Sequence, residues 1–138
     1  MTAVTGSCHC GRVQFTAVLS DGITSARRCD CSLCLRRGAV AVSAAKHDIT
    51  YTKGVSNLTL YQFNTKIAEH YFCKTCGIYT HHHRRSNPSE IGINLACITG
   101  QTPLLPEVIV NDGQNHPTDV GRNGIVGMLR FEPQESTE

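Results

Sequence analysis

Seven of the eight cysteines in this chain fall into three tight groups. Cys8 and Cys10 lie in CHCG, Cys29, Cys31 and Cys34 in CDCSLC, and Cys73 and Cys76 in CKTCG. Thiols this close in sequence stay close in space whatever path the chain takes, so any fold must give them a use. Three uses are open: disulfides, reactive groups or metal ligands. The opening residues MTAVTGSCHC have neither the basic segment nor the apolar run of a secretory signal. A reducing, cytoplasmic setting is therefore expected, where thiols stay free unless a metal or catalysis claims them.

Spacings of one or two residues let a knuckle of backbone aim two thiolates at a common point, and the glycines that follow, Gly11 and Gly77, relieve the turn. Two such knuckles complete a tetrahedral zinc. Cys8, Cys10, Cys73 and Cys76 are thus expected to form a closed structural site that staples distant strands, with metal binding contributing directly to folding. CDCSLC then offers three ligands, Cys29, Cys31 and Cys34, and no evident fourth. A zinc there keeps one position open, as catalytic sites do. Three thiolates leave it with net negative charge, hence a weak Lewis acid but a soft centre suited to a substrate sulfur. The bland alternative is a second structural site completed by Cys97, His116 or one of His81, His82 and His83. Other pairings of the cysteines are also open at this stage.

Composition bounds the rest. The 138 residues are 40% hydrophobic and 17% charged, which suits one globular domain spanning 1–138. A net charge of +2 argues for neither nucleic acid nor membrane as partner. Apolar runs such as GAVAVSAA are far too short to span a bilayer. Period-2 alternation dominates and predicts strands. In RVQFTAVL it places Val13, Phe15, Ala17 and Leu19 on one face. AVAVSA and DITYTK read as a further pair, and NLTLYQFN and KIAEHYFC as a hairpin across Asn64–Thr65. GIYTHHHR, EIGINLACI and IVGMLRFEP bring the total to about eight strands. Helix is expected only as a turn or two in SLCLRRG and near TPLLPEV. The expectation is a mainly β fold of zinc-stapled antiparallel sheets with very little helix.

Four segments taken together, GSCHCGRVQF, CDCSLCLRRG, YFCKTCGIY and NPSEIGINLACITG, resemble the glutathione-dependent formaldehyde-activating enzyme family, which has centromere protein V as a eukaryotic relative. The resemblance covers roughly residues 6 to 100. It implies a β-tent fold, two or three antiparallel sheets stapled by zinc. It also implies two zinc ions, one structural with four cysteine ligands and one with Cys29, Cys31 and Cys34 plus an open position. The implied activity is carbon–sulfur lyase chemistry, the formation of S-hydroxymethylglutathione from glutathione and formaldehyde, with a small-molecule thiol such as glutathione as partner. The run THHHRR and the loop NDGQNHPTD fall outside the family pattern and point to a subgroup whose substrate differs.

Further residues invite roles. Arg36 and Arg37 follow the three-cysteine cluster, and Arg84 and Arg85 follow the histidines; guanidinium groups in such places grip carboxylates in bidentate fashion or form a solvated face. His116, in a long polar loop beside Asp119, suits general acid–base work or is simply part of a turn. His81, His82 and His83 on one strand must alternate between its faces, so they read as a solvated strand end or contribute one side chain to the zinc pocket. Cys97 in NLACIT reads as a buried small hydrophobe. Two rival functions follow: a non-catalytic zinc-stabilised interaction module, and a redox enzyme that uses a reactive Cys97.

Overall fold

The computed structural model describes residues 2–84, 87–114 and 124–135. In chain order the elements are β1 (Thr2–Ser7), β2 (Gln14–Leu19), β3 (Arg27–Cys29), α1 (Ser32–Arg37), β4 (Ala41–Lys53), β5 (Leu58–Tyr61), β6 (Glu69–Cys73), β7 (Tyr79–His83), β8 (Glu90–Asn94), β9 (Val108–Asn111) and β10 (Ile125–Leu129). Short 3-10 turns follow β4 and β8. The fold is mainly β, as the alternation requires. No described helix is long and apolar enough to cross a membrane.

The strands join in one sheet of order β10-β9-β3-β4-β8-β7-β6-β5, with β2 carrying β1 and pairing onto β4. The family resemblance implied two or three antiparallel sheets; here the strands are continuous, and the β3–β9 pair is parallel, Arg27 opposite Ile109 and Cys29 opposite Asn111. Two short pieces of sequence taken as paired strands, AVAVSA and DITYTK, are instead the two ends of the single strand β4. Its first half pairs with β8, Val42 opposite Ile93, and its second half with β2, Tyr51 opposite Phe15. No helix forms near TPLLPEV, where Pro103 and Pro106 bracket the leucines and remove backbone donors. The described residues contain ten strands rather than eight, β1, β3 and β9 having no clear alternation of their own.

Phe15, Ala17 and Leu19 from β2, Val42 and Ala44 from β4, and Ile91 and Ile93 from β8 form the core with Val40, Leu95 and Ile98. Burying each of the larger of these side chains contributes roughly 1.5–3 kcal/mol. A second, small cluster holds Cys8, Val13 and Cys73. The β5–β6 hairpin is present, Leu58 opposite Cys73, but its loop takes in residues 62–68, with Asn64 and Lys66 in left-handed conformation.

Candidate metal centres and cavity

The first site joins the loop after β1 to the end of β6 and the turn behind it. The Sγ atoms of Cys8, Cys10, Cys73 and Cys76 all lie within 4.8 Å of one another. Cys10 Sγ is 3.6 Å from Cys8 Sγ and 3.7 Å from Cys73 Sγ. Four sulfurs each about 2.3 Å from a tetrahedral zinc stand about 3.8 Å apart, so these residues fit a four-thiolate ion. Donors already point at the sulfurs: Val13 N–H at Cys8 Sγ, 3.4 Å, and Asn57 Nδ2 at Cys73 Sγ, 3.2 Å. Gly11 and Gly77 have positive φ, as the knuckles require.

The second site is built by β3 and α1. Cys29 ends β3, Cys31 is the N-cap of α1 and Cys34 lies in its first turn; their Sγ atoms also fall within 4.8 Å of one another. Cys31 Sγ takes the place of the oxygen of a conventional cap and accepts the Cys34 N–H at 3.3 Å. Cys29 Sγ accepts from Cys31 N–H at 3.5 Å. Crowding sets the thiols against one another. Hydrogen bonding from Cys29 and Cys34 pulls Cys31 far down, whereas pairing with Cys29 and Cys31 pushes Cys34 up. One cation resolves such competition by replacing the protons, which makes this cluster, too, chemically suited to a metal.

A segment distant in sequence covers the cluster. Asp30, between two of the cysteines, accepts backbone N–H bonds from Gly113 at 2.7 Å and Gln114 at 3.3 Å, and its own N–H donates to Asn111 O. Gly113 lies so close that a Cβ there would stand 2.2 Å from Cys29 Sγ. Only glycine fits at that distance.

The cluster opens onto a cavity of about 710 Å³, within the range of small-molecule sites. Arg27, Arg28, Arg37 and Arg84 reach it, with Asp112 as the sole acidic side chain among the described lining residues. Arg27 Nη1 donates to Ser43 Oγ at 3.0 Å, and Arg84 pairs with Glu90 at 3.1 Å. Arg37 is the best enclosed by chemistry. Its Nη2 lies 3.6 Å from Cys34 Sγ, its Nη1 3.0 Å from His70 Nδ1, and its Cζ 3.8 Å from the centre of the Tyr79 ring. Arg36 turns away, exposed, with Nη1 donating to Ser32 O at 2.8 Å.

The histidine run splits as strand parity demands, but it is no solvated strand end. His81 is buried against Tyr51 and Tyr71 on one face, stacking on Tyr71 with centroids 4.8 Å apart and bonding to Tyr51 Oη. His82 faces the cavity, with Tyr79 Oη 2.6 Å from its Nδ1 and its ring over Gly92, where a Cβ would meet it at 2.3 Å. Burial drives His82 well below its ordinary value and His81 to about 3. Cys97 lies in the 3-10 turn after β8, its thiol donating to Tyr79 O and pushed up by burial to about 12. His116, Asp119 and Arg85 lie outside the described residues.

Sequence reasoning missed Asp30, His70 and the pair Arg27–Arg28. The arginines had a signal, since basic pairs flank CDCSLC on both sides. His70 had none, because its value comes from standing opposite His82 across the β6–β7 pair.

Two comparisons bear on these centres. The family model for glutathione-dependent formaldehyde-activating enzymes matches residues 3–111. A solved crystal structure of a Rhodobacter sphaeroides protein is similar at 56% identity, covering 72% of this chain and 91% of that one, with a TM-score of 0.71.

Proposed function

The chain belongs to the glutathione-dependent formaldehyde-activating enzyme family, and from that premise we propose that it is a zinc enzyme joining a thiol to a small aldehyde. The concrete reaction is glutathione plus formaldehyde, giving S-hydroxymethylglutathione, chemistry of the carbon–sulfur lyase class. One observation carries the reading: three clustered thiols and four arginines meet in a single cavity. Glutathione offers the matching groups, one sulfur and two carboxylates.

In this reading Cys8, Cys10, Cys73 and Cys76 hold a structural zinc, and Cys29, Cys31 and Cys34 hold a second ion with one position open. Zinc, when bound at the three-cysteine cluster, lowers the pKa of a thiol that takes the open position. The protein does the rest. Arg28 and Arg37 receive the carboxylates, guanidinium forks matching them two bonds at a time. Arg37 also lies 3.6 Å from Cys34 Sγ, which keeps the carboxylate grip next to the sulfur site. Phe63 and Ala68 supply apolar wall and limit water. Holding sulfur and aldehyde carbon together converts an encounter in solution into a local event. The reducing cytoplasm is the proposed setting, where clustered thiols stay reduced and free to hold metal.

The rivals fare worse. A redox enzyme needs an accessible thiol of low pKa, and Cys97 is buried with its pKa raised. A non-catalytic module leaves the arginine-lined cavity without purpose. Calorimetric titration of the zinc-loaded protein tests the proposal. Glutathione should bind, and S-methylglutathione, which has the carboxylates but no ionisable thiol, should bind at least tenfold more weakly. Equal binding, or none with both metals present, would overturn it.

A further inference from the structure

His70 lines the cavity at 9% exposure, on β6. Arg37 Nη1 lies 3.0 Å from its Nδ1. A guanidinium has only donors and stays protonated, so Nδ1 must accept. The ring proton is thereby assigned to Nε2, which makes no hydrogen bond among the described residues. The ring is held by stacking on Phe63 at 5.9 Å and on His82 at 5.3 Å. His82 is fixed in turn by Tyr79 and by the close approach of Gly92. Burial first, and then the neighbouring Arg37 charge, hold His70 down to about 4, which agrees with a neutral ring.

We infer that His70 is the charge-stabilising hydrogen-bond donor of this site: a neutral imidazole locked by Arg37 in the Nε2–H form, presented to an oxygen on which negative charge develops. The inference rests on the function proposed above and adds a residue to it. A carboxylate behind a histidine makes the ring a better base; a guanidinium does the reverse and polarises the Nε2–H bond toward donation. In the addition, the thiolate sulfur forms a bond to the aldehyde carbon and the C=O π pair moves onto oxygen. His70 Nε2–H hydrogen-bonds that oxygen, which then takes its proton from water; the hydroxide left behind is neutralised by the proton the thiol gave up on becoming a thiolate. The ring keeps its own proton throughout, so it needs no recharging between turnovers. Arg37 positions the ring in addition to the carboxylate grip proposed above.

Two measurements decide the matter. The first is long-range proton–nitrogen NMR of imidazole-labelled, zinc-loaded protein. His70 should show the Nε2–H form at neutral pH, and its Nε2 proton should shift further when formaldehyde is added to the glutathione-bound protein than glutathione alone shifts it through Arg37. A protonated ring, an Nδ1–H form or an unmoved signal overturns the inference. The second is kinetics above the spontaneous rate. His70→Phe keeps the stacking but not the donor, and should lower kcat about 100-fold or more while leaving KM for glutathione within about twofold. His70→Gln, whose side-chain amide can replace the Nε2 donor, should recover part of the loss. A His70→Phe enzyme with undiminished kcat moves the donor elsewhere, His116 being the alternative. Wild-type protein that shows the NMR shift but no turnover would sink the proposed activity and leave the donor assignment standing.

Discussion

Asp30 Oδ1 accepts a 2.7 Å hydrogen bond from the backbone N–H of Gly113, 83 positions further along the chain. With the second bond from Gln114, it ties the segment after β9 over the three-cysteine cluster. Hydrogen bonds to charged groups contribute about 1.5–3 kcal/mol each where solvent is limited. Asp30 is half-buried, so Asp30→Ala is expected to cost near the lower end in total, whereas Asp30→Asn keeps an acceptor and should cost less. Chemical denaturation of both variants, with metal content measured alongside, checks the order. Equal loss would mean that charge, not the backbone clasp, matters.

The two cysteine sites should differ in consequence. Cys73 is wholly buried and joins strands remote in sequence. If the four-cysteine site holds the structural zinc proposed above, Cys73→Ala should unfold the domain or prevent soluble expression, since such an ion supplies on the order of 10 kcal/mol against a typical stability of about 5–15 kcal/mol. Cys31→Ala should leave the fold largely intact and remove only the second ion. Zinc stoichiometry with thermal melting separates them, and equally severe destabilisation would make CDCSLC a second staple.

Arg36 and Arg37 are neighbours in sequence and opposites in place. Arg37→Ala is expected to weaken glutathione binding at least tenfold, by losing the carboxylate grip beside Cys34. Arg36→Ala should change it less than twofold, since Arg36 is exposed and, among the described residues, bonds only to Ser32 O. Parallel titrations of the two variants test this, and comparable losses would refute the assignment.

His81 gives the fold a dependence on pH. Its folded value is pulled down to about 3, chiefly by burial, while the unfolded value is near 6.5. As pH falls below about 6.5 the unfolded chain binds the proton first, so stability is full above that point and declines toward pH 3. The slope approaches 1.4 kcal/mol per pH unit, about the limit for one group. His81→Phe should flatten the decline between pH 7 and 5 compared with wild type. Tyr51 Oη retains Thr80 Oγ1 at 3.1 Å as a partner in that variant. Melting curves at matched pH values provide the check; parallel curves would locate the sensitivity in other groups, the buried His82 and His70 first.

What the sequence made legible follows from which interactions are local. Alternation at Val13, Phe15, Ala17 and Leu19 is written in adjacent residues, and all four are buried. The cysteine knuckles are equally local. β4 was read as two pieces because Lys46 and His47 interrupt its apolar run, although the backbone continues through them with both exposed. β1 and β9 have little pattern because their pairing is supplied by partners. The same holds in the cavity. Parity showed that His82 and His81 face opposite ways, but not which side holds the cavity. Asp30 and His70 depend on Gly113 and Arg37, neither of which is close in sequence.

The spacing of the cysteines also sets a timetable for the newborn chain. The three-thiol cluster spans a single short segment, so it is complete as soon as CDCSLC leaves the ribosome and can capture an ion before any sheet exists. The four-thiol cluster has to wait. Cys10 and its neighbour Cys73 are 63 positions apart, and closing that loop needs most of β2 to β6 to be made first, with the entropy of closure offset only once the strands pair. Even with metal at hand, Cys8 and Cys10 therefore stay exposed to oxidation until Cys76 arrives, and a nascent chain starved of metal would keep that vulnerability after synthesis ends.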